Sequence, residues 1–190
     1  MRKKSRENGI LSFVFWRTSM KVIKPELIAD NPFRMIGTDW LLVTAALKDD
    51  QNRIRVNTMT ASWGGLGVLW NKNVATIYLR PSRYTKEFID GSDTFSLCVL
   101  GDKYRQQKNY LGSHSGRDED KIAAAKLTVI DKEGTPYFKE ARLVIICRKL
   151  YAQPFDPNCF CDEKICNSNY KNDDFHTMYI GEITKVIREC

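Results

Sequence analysis

Only a short polar loop, Asp49-Asp50-Gln51-Asn52, separates two runs that both read as β-strands. Trp40 to Leu47 (WLLVTAAL) is short, apolar and rich in β-formers, the pattern of a buried strand. Arg53 to Thr60 is the return strand. So short a connection cannot contain a crossover helix, so the two strands must pair antiparallel. Further strand-like runs follow at Val74–Leu79, Thr94–Leu100, Leu127–Asp131, Arg142–Tyr151 and His176–Ile187, and the run RLVIICRKLY is long enough to cross a barrel wall. Short helices are expected between them: Tyr84–Asp90 stopped by Gly91, Tyr104–Leu111, and Asp118–Ala125 with acids in its first turn, where the helix dipole favours them. Asn31-Pro32-Phe33 reads as a turn and Asn158–Asp174 as a polar loop. There are no repeats, low-complexity tracts or linkers. The expected fold is mainly β with short helices, a small Greek-key barrel.

A chain of 190 residues with 43% hydrophobic and 11% aromatic side chains has the composition of one globular domain. No apolar run approaches the ~18 residues of a membrane span, so no membrane partner is expected. The net charge of +7 invites a nucleic-acid reading, but its distribution argues against one. Residues 1–19 alone carry a net +4, and the remaining +3 is scattered among many acids without a basic stripe. That N-terminal stretch, with a basic start and an apolar run from Ile10 to Trp16, has no small-residue cleavage site; it is expected to be a disordered extension preceding a domain at 20–190. The six cysteines, with no convincing secretory signal, are expected as reduced thiols in the cytoplasm. Cys159, Cys161 and Cys166, with His176 as a fourth group, lack the paired spacing of a zinc site; they read as an oxidation-sensitive loop, and no metal is expected.

The chemistry concentrates between Asn57 and Thr85. A strand-like alternation meets Gly64-Gly65-Leu66-Gly67, resumes as a strand, and ends in Arg80-Pro81-Ser82-Arg83-Tyr84-Thr85. The glycines have the wrong spacing for a dinucleotide-binding turn, and a strand rather than a helix follows them. They form either a tight turn or a close approach of backbone to ligand. Two guanidiniums and several hydroxyls near a helix start suit a phosphate. Hydroxyls and an amide at the neighbouring strand end suit a flat polar ring.

Asn57-x-Met59-Thr60-x-Ser62-Trp63, Trp70-Asn71-Lys72 and Arg80 to Thr85 resemble the flavin reductase-like family, flavoredoxin branch. Two further stretches match: Gly112 to Asp118 with Asp120-Lys121, and Asp174-Phe175-His176 followed by Met178 to Ile183. The resemblance runs from about Asn31 to Val186 and implies the FMN-binding split barrel, a six-stranded antiparallel Greek-key barrel. It implies a cofactor-binding set of Asn57, Met59, Thr60, Ser62, Trp63, Arg80, Ser82, Arg83, Tyr84, Thr85, Ser115, Gly116 and Lys121. His176 would position groups or stabilise charge rather than donate a proton. Each residue also has a structural reading: Trp63 as core, Lys121 as a helix-surface lysine, His176 as a strand histidine, and Asp118 and Asp120 as helix caps.

The activity implied is hydride transfer from NAD(P)H to FMN, an NAD(P)H:flavin oxidoreductase working as a homodimer. A flavoredoxin-type carrier would hold the same FMN but receive electrons from a redox protein partner. A non-catalytic flavin-binding module is the third possibility.

Overall fold

The structure is a computed structural model and describes residues 20–132 and 134–190. The extension expected over residues 1–19 lies outside them. The chain runs through β1 (Met20–Ile23), α1 (Pro32–Gly37), β2 (Leu41–Lys48), β3 (Ile54–Ala61), β4 (Gly64–Leu69), β5 (Lys72–Leu79) and α2 (Tyr84–Gly91). It continues with β6 (Thr94–Leu100), α3 (Arg105–Ser113), α4 (Lys121–Ala124), β7 (Val129–Lys132), β8 (Thr135–Phe138), β9 (Ala141–Pro154), α5 (Glu163–Asn169) and β10 (Thr177–Glu189).

The hairpin anticipated from the sequence is present: β2 and β3 pair antiparallel from Leu41↔Ala61 to Lys48↔Ile54. Its turn closes on Asp49, whose Oδ1 accepts the backbone N–H of Gln51 (3.0 Å) and of Arg53 (2.9 Å). The sheet order is β3-β2-β6-β9-β10-β5-β4, with β1 on β10, and every pairing is antiparallel. Its two edge strands, β3 and β4, are consecutive in the chain and joined only by Ser62-Trp63. Two residues cannot span a flat seven-strand path, so the sheet must roll until its edges meet. The result is a barrel with a split at Ser62-Trp63.

Alternation on β6 sorts the core into two layers. Phe95, Leu97 and Val99 point into the barrel with Val43, Ile77, Ile145 and Tyr179, while Cys98 and Leu100 point outward to Leu42, Val144, Leu111 and Phe138. Each large apolar side chain buried this way contributes about 1.5–3 kcal/mol. The outer layer exists because α3, α4 and the β7–β8 hairpin cover one wall. That explains why β2 reads as continuously apolar and not as alternating: Leu41 to Ala45 are buried on both faces.

Several expectations are corrected. The sheet has eight strands rather than six, the additions including β1 and β4. Gly64 to Gly67 form no turn; they lie in β4, paired with β5 from Gly64↔Ile77 to Leu69↔Lys72. The turn falls instead at Trp70-Asn71, with φ of 53° and 56°, the two positive values that a tight two-residue hairpin requires. Gly64 is there for close approach: a Cβ would lie 2.7 Å from the Thr76 carbonyl oxygen. Asn31-Pro32-Phe33 opens α1, because the Asn31 side chain accepts the Phe33 and Arg34 N–H groups and Pro32 takes the first helical position. The helix expected over Asp118–Ala125 shortens to α4, because Asp120 caps it by accepting the Ala123 N–H. The loop over Asn158–Asp174 contains α5, capped by Asp162. Among the described residues, no helix is long and apolar enough to cross a membrane.

Candidate functional site

Three chain segments meet at the split. Ser62-Trp63 leave β3, Arg80 follows the end of β5, and His176 precedes β10, whose Thr177 and Met178 pair with Leu79 and Tyr78. Between them lies a cavity of about 250 Å³ lined by Met59, Thr60, Ala61, Ser62, Trp63, Tyr78, Arg80, Arg83 and His176. Both faces of β3 contribute, because it is an edge strand paired only with β2 and it ends here. Six of the expected cofactor-binding residues therefore do come together: Met59, Thr60, Ser62, Trp63, Arg80 and Arg83, with His176 beside them.

Asn57, Tyr84, Gly116 and Lys121 line a second cavity of about 420 Å³, with Arg55, Phe88 and Arg117. The Asn57 side-chain amide donates to Thr85 Oγ1 at 3.1 Å, which ties β3 to α2. Gly116 closes over this pair: a Cβ would come within 2.5 Å of Asn57 Oδ1, so glycine is required by space alone. The Arg117 guanidinium lies over the Tyr84 ring, 4.6 Å from its centre, and pairs with Glu87. Arg83 Nη1 donates to the Gly112 carbonyl at 2.9 Å, and the Thr60 hydroxyl donates to the Lys108 carbonyl.

Three expected residues line neither cavity. Ser82 donates from its hydroxyl to Asp174 at 2.6 Å, and its backbone N–H reaches the same carboxylate. Thr85 is buried beneath Asn57, and Ser115 Oγ accepts the Arg117 N–H. Arg80 is also engaged, donating to the carbonyls of Asp174 (3.1 Å) and Asn169 (2.9 Å) with its guanidinium over Tyr170. Asp174 thus holds the loop before β10 against the Arg80–Ser82 turn. The sequence reading passed over Asp174, Tyr78 and Tyr170 as site residues. Tyr78 had a signal, since it stands two positions before Arg80 on the same strand face. Tyr170 had none, because its place depends on how the loop folds back.

His176 is 7% exposed, and burial pushes its pKa down to about 4; Arg80 and Arg83 act in the same direction and Asp174 against them. Its Nδ1 lies 2.9 Å from the Tyr170 hydroxyl, and burial raises the pKa of that phenol. The ring is therefore neutral at pH 7, and with the phenol donating to Nδ1, Nε2 carries the proton. Trp63 packs against it at 5.0 Å between ring centres. Because the folded-state value lies below the unfolded 6.5, the unfolded chain takes up the proton first as pH falls. The stability that neutral His176 contributes is complete above pH 6.5 and is lost towards pH 4. Urea unfolding at pH 7 and pH 5 should show wild-type protein losing about 1–2 kcal/mol more than His176→Gln. Equal losses would show that the histidine titrates alike in the folded and unfolded chain, with no shift from burial.

Lys121 is 4% exposed and donates from Nζ to the carbonyls of Leu111 (3.0 Å) and His114 (2.9 Å), closing the end of α3. Burial, with Arg83 adding to it and Glu119 opposing, lowers its pKa to about 8. The ammonium remains largely charged at pH 7 and lies next to the second cavity. Cys159 and Cys161 are exposed, and among the described residues no group of three or more His, Cys, Asp or Glu is arranged to hold a metal ion.

A search of curated protein sequences finds no match. Solved structures are similar at the level of fold. An FMN-binding domain of a flavin reductases-like enzyme from Shewanella baltica OS155 superposes with a TM-score of 0.63 at 18% identity, over 90% of this chain and 78% of that one. A flavoredoxin of Desulfovibrio vulgaris (Miyazaki F) gives 0.59 at 25% identity, over 86% of this chain and 75% of that one. An NADH:FAD oxidoreductase of Streptomyces globisporus C-1027, in complex with NAD and FAD fragments, gives 0.55 at 16% identity, over 79% and 74%. The family model described as "Flavin reductase like domain" matches residues 33–189, almost the whole described chain. On that match, the chain belongs to the flavin reductase-like domain family.

Proposed function

We propose that this chain binds FMN at the barrel split and works as an NAD(P)H:flavin oxidoreductase. The observation that carries the reading is the make-up of the cavity at Ser62-Trp63. Met59, Ala61 and Trp63 form an apolar wall there, and the hydroxyls of Thr60 and Ser62 and the guanidiniums of Arg80 and Arg83 stand around it. A flat ring with several carbonyl and nitrogen acceptors requires this combination. The donor set also fits a phosphate. α2 starts beside the Arg83 guanidinium with no side-chain cap, so the positive end of its dipole adds to that charge, while its Lys86 N–H is given to the Arg83 carbonyl. Asn57 and Gly116 would flank the ribityl chain, and the Lys121 ammonium would favour negative charge on the ring.

When bound, FMN supplies the two-electron chemistry. The chain's part is binding and orientation. Trp63 would cover one side, Arg83 would anchor the phosphate end, and neutral His176, held through Nδ1 by Tyr170, would present its other ring nitrogen. No side chain at the split has to transfer a proton to the nicotinamide carbon. The test is to mix FMN-loaded protein with NADPH or NADH and follow nicotinamide absorbance. Oxidation of either nucleotide is expected; none with both would remove the reductase reading. The flavoredoxin, at 25% identity against 16% for the NADH:FAD oxidoreductase, favours one second reading. In it the same pocket keeps its FMN and is reduced by a redox protein, so a ferredoxin-type donor would bleach the flavin where nicotinamide does not.

A further inference from the structure

A third, larger cavity shares a wall with the split. It measures about 530 Å³, within the roughly 300–1,000 Å³ of small-molecule sites, and Ser62, Trp63 and Tyr78 line both it and the split cavity. The two differ sharply in chemistry. Arg80 and Arg83 reach into the split cavity, whereas among the described residues no charged side chain lines the aromatic one. Its walls are aromatic and braced against one another. Phe155 packs on Tyr78 at 5.6 Å between ring centres and on Phe160 at 6.1 Å, and Phe160 packs on Tyr170 at 5.6 Å. Tyr170 has its hydroxyl engaged with His176, so it offers the cavity little beyond its ring.

We propose that this aromatic cavity beside Trp63 is a seat for an uncharged, flat aromatic molecule. An anion entering it would lose hydration and meet no cation, a penalty of several kcal/mol. That disfavours placing the phosphate of a flavin or the pyrophosphate of a dinucleotide in this cavity. A neutral aromatic ring keeps the apolar burial and gains about 0.5–1.5 kcal/mol from each well-placed ring contact. Fixed walls mean that little side-chain order has to be lost on binding. The polar atoms in the lining, at Ser62 and Tyr78, are at the boundary with the split, so a single carbonyl or hydroxyl on the ligand would point that way. The role of the seat, as that of a second substrate next to the flavin, rests on the proposed function; the binding itself does not.

The probe is 2-acetylnaphthalene, a neutral flat ketone, with 2-naphthoate as its charged counterpart. Each is titrated calorimetrically into full-length protein with and without FMN. Saturable binding of the ketone is expected, at least about tenfold tighter than that of the carboxylate. Ile165→Asp and Phe33→Asp put a charge on the rim of the cavity at side chains 49% and 86% exposed, so both variants should fold. Each should weaken the ketone at least about tenfold and leave an FMN titration unchanged. No binding of the ketone, equal binding of the carboxylate, or indifference to both variants overturns the proposal. So does a wild-type dimer that Ile165→Asp converts to monomer, because the face would then be an interface between copies. If FMN fails to bind while the ketone still does, the flavin reading falls and the seat stands.

Discussion

Arg83→Ala should weaken FMN binding by roughly 10- to 150-fold, the range set by losing one charged hydrogen-bonding partner of a phosphate. Riboflavin, which has the same ring and ribityl chain but no phosphate, should bind wild type and variant within about threefold of each other. The argument rests on position. Arg83 is the residue before the first turn of α2, it lines the cavity at the split, and its side chain makes no capping bond to that helix. The bond from its guanidinium to the Gly112 carbonyl is at the surface and can be replaced by water, so the fold should survive its loss. Arg83→Lys should fall between, since an ammonium keeps the charge and loses the planar fork. Flavin fluorescence titrations of both ligands decide the matter. Equal losses for FMN and riboflavin would move the phosphate away from Arg83.

Gly64→Ala should destabilise the protein by about 2–3 kcal/mol, while Gly67→Ala, three residues along the same strand, should change stability by less than about 0.5 kcal/mol. A Cβ at Gly64 would lie 2.7 Å from the Thr76 carbonyl oxygen, whereas one at Gly67 meets nothing within 4 Å. The obstructing atom is backbone in a paired strand, which cannot rotate away as a side chain can. β4 would have to shift off β5, and the shift would be felt at once by Trp63, the next residue towards the split. Weaker FMN binding should accompany the loss of stability in Gly64→Ala and be absent in Gly67→Ala. Urea midpoints for the pair test this without reference to any activity. Similar values for both would mean that β4 packs less closely on β5 than the structure shows.

Much of the framework could be read in the chain because its signals are local. The β2–β3 hairpin follows from one loop of four polar residues, and α2, α3 and β10 fall within two residues of where their patterns place them. What escaped were features fixed by distant partners. Gly64 to Gly67 look like a turn on composition, and become a strand only because β5 lies against them and Trp70-Asn71 take the bend. β8 was missed for the same reason: Thr135 to Phe138 are strand because β7 pairs with them, and the run is too short to announce itself. At the site, six of the residue types singled out at strand ends and just beyond them line one cavity. The packing of α3 against the site, where Arg83 and Thr60 donate to the carbonyls of Gly112 and Lys108, is a contact that nothing in the spacing of residues anticipates.

The central claim is that FMN occupies the split where β3 and β4 part. Titrating full-length protein into a fixed amount of FMN and following flavin fluorescence tests it most directly. The account predicts a saturable change with one flavin per chain, and a protein that remains yellow after free flavin is removed. Fluorescence identical to that of free FMN at the highest protein concentration would contradict it.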